Sequence, residues 1–185
     1  IPTRAEATDV ANAVWDGTDV VMLSAETSVG KFPFRTVQIM NDIVKNAEYH
    51  REDRTNNYFI TPDSLQENLF DSVGKAIVEI SKQINAQAIV VFTFEGRTAR
   101  IISKYKPESK IIAISNSFGT MNNLCLRWGV TSVYRETIDK EHLAIDDAKE
   151  LILNAGLASK GDLIIFTAGA PYSEKSRANW LRFEV

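Results

Sequence analysis

Cysteine is almost missing from this chain: Cys125 is the only one among 185 residues. An internal disulfide is therefore excluded, and the composition fits a reducing cytoplasm. Histidine is nearly as scarce. His50 and His142 stand far apart, so spacing indicates no shared metal site and each reads as a surface residue. Excess positive charge is lacking too. The formal net charge is −3, which argues against a nucleic-acid or anionic-membrane partner. No apolar run approaches the roughly 20 residues of a membrane-spanning helix, and no signal-peptide pattern opens the chain. No internal repeat or low-complexity tract is visible.

What is present points to an α/β protein. With 44% hydrophobic and 24% charged residues, the chain can build one domain with a proper core plus an additional segment. It opens at Ile1 rather than Met, directly at a helix start, which suggests a piece of a longer protein.

Residues 3–52 form the first organisational unit. Thr3 and Glu6 have the spacing of a capping box. Ala5, Val10, Ala13 and Val14 can share one face of a short helix, and Gly17 is a natural stop. Asp19–Leu23 is apolar on consecutive positions, the pattern of a buried parallel strand. It ends in polar Ser24, Glu26 and Thr27. A second helix starts at Pro33, with Val37, Met40, Val44 and Ala47 on one face. Residues 53–63 carry Asn56, Asn57 and Pro62 without periodicity and read as a linker, with a domain boundary near residue 60.

Residues 64–185 alternate strands and helices. Asp63 or Ser64 can cap a helix bearing Leu65, Leu69, Val73, Ala76, Ile77, Ile80 and Ile84. Strands are expected at 88–93, 110–115, 130–134 and 163–167, with an alternating edge strand at 180–185. Helices are expected over 96–104 and 118–128, and after a cap at Asp139, where the charged stretch 141–150 is a solvated face. Cys125, among apolar helix residues, is expected to be buried and inert. This alternation implies a parallel sheet in three layers.

One stretch carries a specific resemblance. Pro2-Thr-Arg-Ala-Glu6, Asp9-Val-Ala-Asn-Ala-Val14, Asp16-Gly17, Met22-Leu-Ser24 and Glu26-Thr27 follow the pattern of the last barrel segment of pyruvate kinase. The chain departs from it at Ala25, where the family mostly has Gly, and at Phe32, where it often has Tyr. A weaker resemblance continues through Gly96-Arg-Thr-Ala-Arg100, Tyr105-Lys-Pro107 and Trp128-Gly-Val130. The implied architecture is a helix–strand–helix piece of a (β/α)8 barrel over 1–52, a linker over 53–63 and a C-terminal regulatory domain over 64–185. That domain would hold a five-stranded sheet in the order 3-2-1-4-5 with the last strand antiparallel.

Function follows the same resemblance. The complete enzyme transfers phosphate from phosphoenolpyruvate to ADP. It uses Mg²⁺ and K⁺, works in the cytoplasm and assembles as a homo-oligomer, a tetramer when full length. The Glu and Asp that bind Mg²⁺, the phosphoryl-binding Lys and the Asn-Ser-Asp-Thr set that places K⁺ come from earlier barrel strands outside this chain. Phosphoryl transfer depends on such groups, so the chain alone is expected to be inactive and to hold no metal.

Two sets of site residues result. Spacing alone favours strand-end capping for Ser24 and Glu26; the resemblance makes Ser24 a member of the proton relay to enolpyruvate and Glu26 a nearby polar group. Arg4, by itself a solvated first-turn residue, corresponds to the family arginine that reaches across a subunit interface. The second set is an effector site. Thr93, Gly96, Arg97 and Thr98 follow a buried strand and open a helix, where amides and the helix dipole favour an anion. In many pyruvate kinases that loop and its partner, here 167–177 with Lys175, Ser176 and Arg177, bind a phosphorylated effector. The loops flank the point where strand order reverses. Phe94 and Glu95 replace residues that would favour phosphate, which disfavours a sugar bisphosphate. Two other readings are a stand-alone non-catalytic regulatory or anion-binding module, and an unrelated Rossmann-like binding protein. The latter lacks support because the first strand–helix turn has no G-x-G-x-x-G.

Overall fold

A computed structural model describes residues 2–50, 65–136, 141–169 and 178–185. The chain divides into two units, 1–60 and 61–185. The expected linker 53–63 and the proposed caps Asp63, Ser64 and Asp139 lie outside the described residues.

In the first unit, helix α1 (Arg4–Trp15) starts because Thr3 and Glu6 close a reciprocal cap. The Thr3 backbone N–H donates to Glu6 Oε2 at 2.7 Å, and Glu6 N–H donates to Thr3 Oγ1 at 3.3 Å. These backbone and hydroxyl bonds hold the Glu6 carboxyl below its ordinary range. A short helix α2 (Ala25–Ser28) follows, then α3 (Pro33–Tyr49), begun by proline in its first turn. Trp15 Nε1 donates to the Ala47 carbonyl at 3.0 Å and ties α1 to α3. Val14 and Ala47 are the buried residues of this contact.

The strand expected at 19–23 does not form. Among the described residues of this unit nothing is extended beside it, and a strand without a hydrogen-bonding neighbour has no ladder. Its apolar side chains consequently meet water: Val20 is 51% exposed and Met22 83%. Val37 and Ala5 are exposed as well, so the packed stripes are narrower than their periodicity implies.

The second unit is one five-stranded sheet: β1 (Ala88–Phe92), β2 (Lys110–Ser115), β3 (Val130–Tyr134), β4 (Ile164–Ala168) and β5 (Trp180–Glu184). Its order is β3-β2-β1-β4-β5, with β4 and β5 antiparallel and the other pairs parallel. This is the order the resemblance implies. β1 explains why it sits at the centre. Ala88, Val90 and Phe92 pack on one face with Phe166 and with Ile145, Ala148 and Ile152 of α7 (Glu141–Asn154). Ile89 and Val91 pack on the other with Ile77 of α4 (Leu65–Gln83), Ala99 and Ile102 of α5 (Arg97–Lys104), and Leu124 of α6 (Phe118–Leu124). A strand apolar at every position is what two covered faces require.

Three local expectations need correction. Leu69 and Ala76 on α4 are exposed, because the buried stripe runs instead through Gly74, Ile77 and Ser81. Helix α6 stops at Leu124 rather than continuing to 128, and the Arg127 N–H turns back to the Leu124 carbonyl at 2.9 Å. Cys125, at the helix C-cap, is therefore exposed rather than buried, with Sγ 3.5 Å from Ser132 Oγ. Leu126 is left on the surface with it.

Candidate functional site

The carboxyl ends of β1 and β4 lie side by side in parallel register, Val91 opposite Thr167. The strand order reverses between these two strands, and in open α/β sheets ligands bind beside the carboxyl ends of strands at such a point.

The loop after β1 is built by three constraints. Thr93 N–H donates to the Ile114 carbonyl at 2.9 Å, extending the β1–β2 pairing by one residue. Thr93 Oγ1 then accepts the Gly96 N–H at 3.0 Å and closes a tight turn. Gly96 has φ +74° and caps α5 in the left-handed region, where a side chain is disfavoured. An added Cβ there would also come within 3.0 Å of Leu124 Cδ2. The loop is braced from outside by α6: the Thr120 hydroxyl donates to the Phe94 carbonyl at 2.7 Å. Ser117 in turn fixes Thr120 by accepting its N–H at 3.2 Å.

This turn delivers the first amides of α5, which have no intrahelical acceptor, to the end of the sheet. The rim carries one carboxylate, Glu95, and two guanidiniums, Arg97 and Arg100. Arg97 Nη2 lies 2.6 Å from Glu95 Oε2, with the two side chains 46% and 42% exposed. Such an exposed pair is worth about 0–1 kcal/mol, so it places the guanidinium without locking it. Arg100 Nη2 reaches the Glu95 carbonyl at 3.4 Å. Thr98 is only 8% exposed and Thr93 only 7%. The surface offered to a ligand is therefore mainly that of Glu95 and Arg97, while the two threonines serve the interior of the turn.

Lys175, Ser176 and Arg177 lie outside the described residues. The roots of their loop are described: Asn179 N–H donates to the Ala168 carbonyl at 3.0 Å, and Thr167 Oγ1 to the Trp180 carbonyl at 2.9 Å. The Trp180 indole N–H is buried without an acceptor among the described residues.

In the first unit Ser24 and Glu26 are brought together, but by a helix start rather than a strand end. Ser24 is the residue before α2, and its N–H donates to Glu26 Oε2 at 2.9 Å. Its hydroxyl makes no capping bond. The backbone N–H groups of Glu26 and Ser24 hold the Glu26 carboxyl below its ordinary range. Ser24, Glu26 and Arg4 are all exposed within this unit. Arg4 uses its backbone carbonyl to accept the Thr8 hydroxyl at 2.8 Å, which leaves the guanidinium uninvolved in that bond.

Sequence reasoning missed Thr120 and Leu124. Ser117 and Thr120 carry a helix-cap spacing, but nothing local says that Thr120 reaches a loop 26 residues earlier.

The sequence and fold match known proteins over both units. The alpha/beta domain of pyruvate kinase matches residues 71–183, and the pyruvate kinase barrel domain matches residues 1–37. A pyruvate kinase from Staphylococcus epidermidis is 38% identical over 99% of this chain, and one from Geobacillus stearothermophilus 35% over 100%. The chain spans about 31% of the length of each of these relatives. A solved structure described as Cryptosporidium parvum pyruvate kinase in complex with ADP superposes with a TM-score of 0.80 at 33% identity, covering 100% of this chain and 37% of that one. A second structure of the Cryptosporidium parvum pyruvate kinase gives 0.82 at 32% identity, covering 100% and 36%. With the family's alpha/beta domain matched across most of the sheet-bearing unit and its barrel domain matched at the amino end, the chain belongs to the pyruvate kinase family.

Proposed function

We propose that this chain contributes the effector-binding domain and one catalytic-barrel segment to a cytoplasmic enzyme that transfers the phosphoryl group of phosphoenolpyruvate to ADP. In this reading residues 1–52 are the last barrel segment, 53–63 a linker and 64–185 the regulatory domain. The complete protein is a homo-oligomer, a tetramer. The observation that carries the reading is the order of the two matches, barrel at 1–37 and alpha/beta domain at 71–183, with a sheet in the order β3-β2-β1-β4-β5.

Ser24 takes the proton-relay role toward enolpyruvate. Its hydroxyl is not engaged in capping, and Glu26 holds the turn that presents it. Arg4 acts at a subunit interface. Among the described residues no cluster of three or more His, Cys, Asp or Glu is gathered to hold a metal. In this reading the residues that hold the Mg²⁺ and K⁺ of the complete enzyme belong to earlier barrel strands.

The effector site comprises Thr93, Gly96, Arg97 and Thr98, of which the two buried threonines shape the turn rather than meet the ligand by their hydroxyls, with Lys175, Ser176 and Arg177, and it takes one phosphate. Amides at the head of α5 and the Arg97 guanidinium favour an anion. The Glu95 carboxylate opposes each added phosphate by roughly 1 kcal/mol in water, and by more where solvent is excluded. The ion pair with Arg97 offsets part of this.

Three measurements test the proposal. A coupled assay of the isolated chain with phosphoenolpyruvate, ADP, Mg²⁺ and K⁺ is expected to show no turnover. In the full-length protein Ser24→Ala is expected to lower kcat; an unchanged kcat overturns the relay role. Calorimetric titration of residues 61–185 is expected to show AMP, ribose 5-phosphate or glucose 6-phosphate binding more tightly than fructose bisphosphate. Micromolar fructose bisphosphate binding that Glu95→Ser does not tighten overturns the charge argument.

A further inference from the structure

We draw no further inference here: the strongest candidate, the surface patch on the α6–β3 edge of the sheet where exposed Phe118 stacks on Tyr134, carries nothing because nothing in the structure shows what covers it.

Discussion

The Thr120 hydroxyl donates to the Phe94 carbonyl at 2.7 Å, joining α6 to the loop that opens α5. Removing that donor with Thr120→Val is expected to cost about 1 kcal/mol, the net worth of one intramolecular hydrogen bond. Thr120→Ser keeps the donor and is expected to stay within a few tenths of wild type. Amide exchange at Gly96 and Arg97 should quicken in the valine variant and not in the serine one. Equal exchange in both would show that the loop is held by Thr93 alone.

Two glycines are fixed by their neighbours rather than by turns in general. At Gly96 a side chain would meet both the left-handed backbone, φ +74°, and Leu124. Gly96→Ala is expected to destabilise by about 1–2 kcal/mol, the cost of the left-handed conformation, before any contact is counted. At Gly74, inside α4, an added Cβ would overlap Ile101 Cγ2 of α5. Alanine there improves helix propensity by up to about 1 kcal/mol. Overpacking of a branched side chain costs about 1–3 kcal/mol, so Gly74→Ala is expected to be net destabilising. Urea midpoints of residues 61–185 measure both; a stabilised Gly74→Ala would mean that α4 and α5 separate without penalty.

The first unit should open more readily than the second. Among its described residues the buried hydrophobics are Val14 and Ala47, whereas Val20, Met22, Val29, Phe32, Phe34 and Val37 are exposed. Stability that rests on so little burial is low. Hydrogen exchange is expected to be orders of magnitude faster at 34–49 than at 88–92. Comparable protection of the two, in a chain that sediments as a monomer, would contradict this.

Glu184 gives the sheet edge an acid sensitivity. Lys149 on α7 and Arg182 on β5 both bond to its carboxylate. The Lys149 hydrogen bond, with that of Arg182, holds the carboxyl below its ordinary value near 4.5. A depressed folded-state value means that the network stabilises the fold fully above about pH 4.5, and that the gain is lost as pH falls below it. Because the cations are about a third exposed, solvent screening keeps the effect to about 1 kcal/mol. The stability difference between wild type and Glu184→Gln should be constant from pH 6 to 7 and shrink toward zero by pH 3. A difference that grows on acidification would reverse the assignment.

Some features of this protein follow from local chemistry, and these were legible in the sequence alone. Thr3 and Glu6 cap α1 because both partners of the box lie within one turn. Pro33 starts α3, and the runs at 88–92 and 164–166 are apolar at every position because both of their faces are covered. The motif from Pro2 to Thr27 was enough to indicate the family, whose membership the two domain matches then showed. What only the tertiary structure decided depends on partners distant in sequence. Asp19–Leu23 has the composition of a buried strand, yet a strand exists only where another strand accepts its hydrogen bonds, and the described residues of its unit supply none. Cys125 and Leu126 look like helix core, but α6 ends once Leu124 has filled the space beneath Gly96. The brace from Thr120 to Phe94 has no signature in either segment, because the β2 crossover alone brings the two together.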